Sequence, residues 1–321
     1  MRFIFLAILF IFLSAGLLVF FRPSSDYINP RMPVAPTPEP SLAPTPTPPP
    51  QVTFNLVGDL GLGRHITSTA RSKSNFNWSF ESIAPTLESA SFTLANLESP
   101  IINDCPHGPT GTFTFCGDTR FLPYLSRYRF IFNLANNHIL NYARSGFDQT
   151  VNYLSQNNIL SVYSHDPSLS YITWIKEGIS FGMVGYDFIT FPNLDPSQIV
   201  ELVTQKNPTV DWLIVSLHWG NEYLPQAETW RVNLARQLVD AGADIIHGHH
   251  PHVWQEPETY LGKPIFYSLG NFVFDQSWSY ETSHSKLVQM TVTKSEIKSI
   301  DYLPYEIYAN SQPRLLPQPT Q

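Results

Sequence analysis

Basic clusters are absent from this chain. Lysine and arginine number 19 against 26 acidic residues, which leaves a net charge of −7. Charged residues are only 14% of the total, against ~25% in an ordinary soluble domain. The basic residues are scattered singly, so the electrostatic footprint that nucleic-acid binding requires is missing. Cysteine is equally scarce: with Cys105 and Cys116 alone there is no thiolate set for a structural zinc site. The two close a short interval rich in Gly, Pro and Thr, and the residues by themselves leave a bridge and two free thiols both open. No internal repeat is present.

What the chain has in quantity is apolar and aromatic surface, 43% and 14% of residues. Part of it lies in Phe3–Phe21, an almost unbroken apolar run interrupted by Ser14 and Gly16 and flanked by Arg2 and Arg22. A membrane-spanning helix needs ~20 such residues, whereas the apolar core of a signal peptide has ~7–15. No small-residue cleavage site follows Arg22, so residues 1–22 are expected to be an uncleaved N-terminal transmembrane anchor. Pro33–Pro50 is then a Pro/Thr/Ala tract within a linker spanning 23–50. Proline fixes φ and removes the N–H donor, so this segment reads as an extended spacer of ~3 Å per residue. Residues 51–312 form the expected main domain, and 313–321 a tail. Together these features predict a single-pass cell-membrane protein; Arg2 and the terminal amine favour an extracytoplasmic main domain, while Arg22 and Arg31 oppose it.

Within that domain short apolar runs alternate with amphipathic stretches, the pattern of an α/β fold. Buried strands are expected at Val52–Val57, Phe92–Asn96, Phe130–Leu134, Ile179–Val184, Trp212–Leu217, Asp244–His247 and Pro264–Tyr267. Helices are expected at Arg144–Asn157 and Gln226–Ala241; the second carries a Trp230, Leu234, Leu238, Val239 stripe and Gly242 as its cap. Lys286–Thr293 and Ile297–Leu303 read as a closing hairpin.

The chemistry sits just past the strand ends: Asp59, Glu98, Asn137-His138, His218, and a cluster of four histidines between His247 and His252. Ligands in α/β sheets bind where the carboxyl ends of strands converge. A His-x-His pair at a strand end aims two imidazoles at one point, because residues i and i+2 share a face. Carboxylates, an amide oxygen and imidazoles make a mixed oxygen–nitrogen set that favours Zn, Mn or Fe over calcium. The donors suffice for one or two divalent ions, an arrangement that activates water for in-line displacement at a phosphoester.

Six segments carry a resemblance to a known family. They are Gly58-Asp59-Leu60-Gly61-Leu62-Gly63-Arg64, Asn96-Leu97-Glu98, Asn136-Asn137-His138, His218-Trp219-Gly220-Asn221-Glu222-Tyr223, Gly248-His249-His250-Pro251-His252 and Tyr267-Ser268-Leu269-Gly270-Asn271-Phe272. Taken in order they resemble the CapA family of poly-γ-glutamate capsule biosynthesis proteins, of the calcineurin-like metallophosphatase superfamily. The resemblance runs from Val52 to about Pro313. It implies a four-layer α/β/β/α metallophosphatase-like sandwich with Asp59, Glu98, Asn137, His218, His250 and His252 as metal ligands. Glu98 would be the bridging carboxylate. His138 would be the general acid and Asn137 its motif partner; Arg64, outside this correspondence, is by its own chemistry a candidate to bind a substrate carboxylate or phosphate. Two positions depart from the wider phosphatase pattern: the first-strand Asp-x-His is Asp59-Leu60-Gly61, and Glu98 replaces an aspartate.

Blander readings compete at several positions. Asp59 suits a turn, His138 and His218 suit structural hydrogen bonds, and Arg64 suits a surface ion pair. His247 reads as a packing residue, and Ser268 and Asn271 as residues of the site rim. The resemblance implies a role in synthesis or export of poly-γ-glutamate or a related anionic polymer, with the membrane and polymer synthase subunits as partners. The site chemistry points to a metal-dependent hydrolase of phosphoester or γ-glutamyl bonds. The alternative is a polymer-binding or scaffolding subunit whose metal site is structural or vestigial.

Overall fold

The computed structural model describes residues 49–106, 113–163 and 170–317, together with Phe20. Pro48–Gln321 forms one compact unit, separate from Met1–Thr47. Apart from Phe20, the expected anchor lies outside the described residues, and so does nearly all of the linker. Among the described residues no helix is long and apolar enough to cross a membrane.

Two sheets face each other. The strands that matter for the site are β1 (Val52–Leu60), β2 (Thr93–Leu97) and β3 (Phe130–Asn133) in the first sheet. In the second they are β4 (Ile179–Asp187), β5 (Trp212–His218) and β6 (Ile245–His249). Each set of three is parallel, so its carboxyl ends emerge together. The first sheet continues antiparallel from β1 through His284–Val292 and Ile297–Tyr308 to Gln312–Leu315. That last strand carries the sheet three residues past the boundary at 312, into the segment expected to be a tail.

Three apolar layers explain the architecture. Phe54, Leu56, Phe92, Leu94 and Ile131 of the first sheet pack against Phe181, Met183, Ile214 and Ile245 of the second. On the outer face of the first sheet, Phe132 and Val57 pack with Ile66, Phe147 and Leu154 from helices Arg64–Ser72 and Ala143–Gln156. On the outer face of the second, Val215 and Ile246 pack with Ile199, Leu234 and Leu238 from helices Pro196–Lys206 and Thr229–Asp240. The result is the α/β/β/α sandwich. The expected strands and helices are present within a few residues. Trp230 departs from its predicted stripe: it is 44% exposed, while Arg231 is buried in its place.

Pairing along β1 is irregular at one place, and that irregularity builds the site. Leu56 pairs with Leu94 but Asp59 with Asn96, so β1 advances three residues while β2 advances two. An extra residue in one strand is a β-bulge, which reverses the alternation beyond it. Val52, Phe54 and Leu56 face the second sheet, and the bulge returns Asp59 to that same side. Gly58 lies in the bulge because a Cβ there would stand 1.8 Å from the Gly270 carbonyl oxygen. Asn271–Val273, which periodicity does not disclose as a strand, pairs with β1 at that point.

Cys105 and Cys116 are joined by a disulfide. Phe115, next to the bridge, lies against the ring of His138, with ring centroids 4.2 Å apart.

Candidate metal centre

Asp59, Glu98, His218 and His249 are wholly buried, and His252, His250 and His138 nearly so. Burying this many ionisable groups in contact is costly unless hydrogen bonds and opposite charge compensate. Asn96, at the end of β2, does much of the compensation. Its Nδ2 lies 2.9 Å from Asp59 Oδ1, 3.2 Å from Glu98 Oε2 and 3.2 Å from His218 Nδ1. The orientation of that amide follows from its neighbours. Asn136 Oδ1 accepts from the backbone N–H of His138 and Ile139, so Asn136 Nδ2 donates to Asn96 Oδ1 at 3.0 Å. Asn96 must therefore present its N–H₂ to the three acceptors.

The remaining donors close around this hub. His252 Nδ1 lies 3.0 Å from Asn271 Oδ1 and 3.1 Å from Asp59 Oδ2, and its Nε2 faces Glu98 Oε1 at 3.7 Å. A ligating histidine commonly has its second nitrogen tied to such an oxygen, which fixes the ring. His218 Nε2 is 2.8 Å from Asn137 Oδ1 and 3.8 Å from Glu98 Oε1. His138 Nδ1 is held by Asn141 Oδ1 at 3.1 Å, with Nε2 3.9 Å from Glu98 Oε1. His250 and His252 both have positive φ, 95° and 58°. Such conformations cost ~1–3 kcal/mol each for non-glycine residues and concentrate at functional sites.

Electrostatics separate the groups. Burial opposes the charge on Asp59, yet the imidazoles of His249 and His252 beside it hold its carboxyl well below the usual range. Burial, reinforced by Asp59 and opposed by His252, pushes the Glu98 carboxyl well above its ordinary value. Burial also lowers three imidazoles: His218 well below its ordinary value, His138 to about 4 and His250 to about 3. His252 goes the other way, to about 9, because Glu98 and Asp59 outweigh its burial.

The donor set fits a divalent metal. Asp59, Glu98 and His218 offer atoms within 4.8 Å of one another, and so do Glu98, His250 and His252. Glu98 belongs to both groups, while its Oε1 and His250 Nδ1 are buried without a hydrogen-bond partner. The neutral imidazoles of His138, His218 and His250 and the orphaned Glu98 Oε1 converge in a dry interior, an arrangement that suits a bound divalent cation.

All six residues predicted as ligands meet here, and His138 lies at their edge. Arg64 does not. Its guanidinium forms an ion pair with Asp275 and stacks 4.4 Å above Phe115. Trp219 is core, whereas Tyr223 is 40% exposed on the rim, next to Trp278. Sequence reasoning assigned no role to Asn96, Asn136 or Asn141, which carry no metal-binding signature of their own. Gly61, where the phosphatase pattern has histidine, is crowded: a Cβ there would stand 2.7 Å from the ring of Phe274.

The buried oxygen–nitrogen donor set lies at the strand ends of an α/β/β/α sandwich, which is a metallophosphatase-like fold. Among solved structures the chain is similar to a hypothetical protein from Thermus thermophilus (TM-score 0.53, 13% identity), over 79% of this chain and 99% of that one. It is also similar to a candidate 5′-nucleotidase of Staphylococcus aureus (TM-score 0.50, 13% identity), over 83% of this chain and 54% of that one. The chain belongs to the bacterial capsule synthesis protein family PGA_cap, whose family model matches residues 53–276. It is 29% identical over 275 residues to the PGA biosynthesis protein CapA of Bacillus subtilis, covering 80% of this chain and 72% of the relative. Identity to the capsule biosynthesis protein CapA of Bacillus anthracis is 26% over 284 residues, covering 81% and 69%.

Proposed function

We propose that this chain is a membrane-anchored, extracytoplasmic member of the capsule-synthesis family that acts in poly-γ-glutamate-type polymer biosynthesis or export through a metal-dependent hydrolytic site. The observation that carries the metal-dependent part is the sharing of Glu98 between two donor triads. A carboxylate between two ligand sets suits a pair of ions, and such ions act as Lewis acids and generate a nucleophile from water near neutral pH. Asp59, Glu98, Asn137, His218, His250 and His252 would hold them.

The chain's own residues do the rest. Asn96 keeps Asp59 and Glu98 apart while satisfying an oxygen on each. Asn271 orients His252, and Asn141 holds the His138 ring with Nε2 toward Glu98. From there His138 can exchange a proton with a reacting group; its depressed pKa keeps it neutral until one is transferred. Anchoring rests on the Phe3–Phe21 apolar run, and the Pro-rich tract after it suits a spacer.

The test is metal analysis of the full-length chain by plasma mass spectrometry, followed by hydrolysis assays on phosphodiesters and γ-glutamyl peptides. Bound Mn, Fe or Zn that disappears in Asp59→Ala or Glu98→Ala, with hydrolysis lost in parallel, supports the reading. Metal without hydrolysis of either bond leaves a binding or scaffolding role. A folded chain that takes up no metal overturns it.

A further inference from the structure

On a chain of net charge −7, cations without a carboxylate partner are few. Among the described residues most lysines and arginines are ion-paired. Of the exceptions, Lys73, Lys206 and Arg314 each lie over an aromatic ring, those of Trp78, Tyr171 and Tyr308. Arg129 and Lys176 have neither kind of partner among the described residues, and both line one cavity of about 360 Å³. Arg129 is held in place there. Its Nε and Nη2 donate to the carbonyls of Ala90 and Glu88, while Nη1 is left over. A guanidinium fixed in this way loses little side-chain freedom when it takes an anion.

The rest of the cavity is not that of a simple anion. Phe92, Phe130, Trp174 and Ile175 give it apolar walls. A second cavity, of about 390 Å³, shares Asn158, Ile159 and Leu160 with the first, so the two form one groove. Strands Leu160–Val162 and Tyr171–Lys176 line it, each outermost in its sheet among the described residues. An outermost strand leaves backbone N–H and C=O groups unpaired on one side. Phe92 and Arg129 precede β2 and β3, whose other ends carry the metal donors. The groove is therefore a strand's length, ~15 Å, from the metal centre.

Two cations, apolar walls and open strand edges match a chain that repeats carboxylates, methylenes and amides. The net negative charge opposes a polyanion over the surface at large, which singles out the place where cations stand unneutralised. We propose that this groove binds a segment of an acidic polyamide of the poly-γ-glutamate type. Its carboxylates meet Arg129 Nη1 and the Lys176 ammonium, and its methylenes lie against Phe92 and Trp174. The proposal rests on the polymer role given above, and it separates holding the polymer from the chemistry at the metal centre.

The experiment is fluorescence anisotropy of a dye-labelled γ-linked glutamate oligomer titrated with the full-length chain in detergent. Arg129→Gln and Lys176→Gln are each expected to weaken binding ~10-fold or more, the loss of one charge-assisted hydrogen bond. Arg129→Gln also gives up the bonds to Ala90 and Glu88 and can unfold the chain; Lys176→Gln disturbs no such bond and keeps the test decisive. Binding unchanged in a folded Lys176→Gln protein overturns the site and leaves the polymer role standing. No binding to the wild type, or equal binding of a single-stranded DNA oligomer, overturns the proposal, and metal analysis then decides the hydrolytic reading by itself. Metal content in Lys176→Gln should match the wild type. A parallel loss of metal would mean a damaged fold and count against a separate groove.

Discussion

Glu98 and Asn96 carry the most weight of any single side chains. Glu98 is common to both donor triads, whereas His218 belongs to one. Glu98→Gln is therefore expected to strip more metal than His218→Ala, measured as equivalents per chain by plasma mass spectrometry. Equal loss in the two variants would contradict a shared carboxylate. Asn96 acts even without metal, because it is the donor to Asp59 Oδ1 and the amide beside His218 Nδ1. Asn96→Ala leaves both buried acceptors short of a partner, so the metal-free fold should lose ~1–3 kcal/mol in urea unfolding. A loss below a few tenths would show that water replaces the amide. Neither role is visible in the residue type; the motif Asn96-Leu97-Glu98 locates the pair without saying which atom faces what.

The bulge in β1 and the disulfide-clasped loop each depend on a contact between elements. The Gly58 Cα packs against the Gly270 carbonyl, and no side chain fits there without moving backbone. Gly58→Ala is expected to cost ~3 kcal/mol or more, or to abolish folding, and to release bound metal by displacing Asp59. A variant with unchanged stability and metal content would show that the bulge does not position the site. The Cys105–Cys116 bridge closes a loop with a sequence separation of 11, for which chain entropy gives about 3 kcal/mol. The double Cys→Ser variant should show that drop in thermal unfolding under oxidising conditions and match the wild type under reducing ones. Phe115, next to the bridge, donates its backbone N–H to Asn141 Oδ1, the atom that also holds His138.

Taken as a whole, the domain carries an acid sensitivity set by its buried imidazoles. His138, His218, His247 and His250 all have pKa values depressed by burial. In the unfolded chain each takes a proton near pH ~6.5. As pH falls from about 6.5 toward 4 the unfolded state gains these protons and the native state does not, so stability declines. Glu98, raised by burial, acts in the opposite sense with one proton against four. His252, raised to about 9, contributes stability that is full below about 6.5 and lost as pH rises through about 9. The metal-free protein should accordingly unfold at lower urea concentration at pH ~5 than at pH ~7. A midpoint unchanged or higher at the lower pH would mean the imidazoles are solvated. For the proposed anchor, deletion of residues 1–22 should move the chain from the membrane fraction to the soluble one, and its retention in the membrane would exclude that segment as the anchor.

Patterns that depend on neighbours along the chain were legible from residues alone. Apolar runs and helical stripes located the principal strands and helices within a few residues, because burial imposes period 2 on strands and 3.6 on helices. Carboxylates and histidines just beyond the strand ends marked the candidate site, because parallel strands bring those ends together. Trp230 shows the limit: its place in the stripe predicted burial, but the interior position went to Arg231, which finds Glu228 and Gln255 there. Arg64, read as a substrate-binding cation, has Asp275 as its partner, 211 residues away along the chain. The bulge that turns Asp59 inward and the asparagine chain that orients the donors were decided by tertiary structure alone. Each depends on which atoms meet across two sheets, and periodicity along one strand carries no information about the partner strand's register.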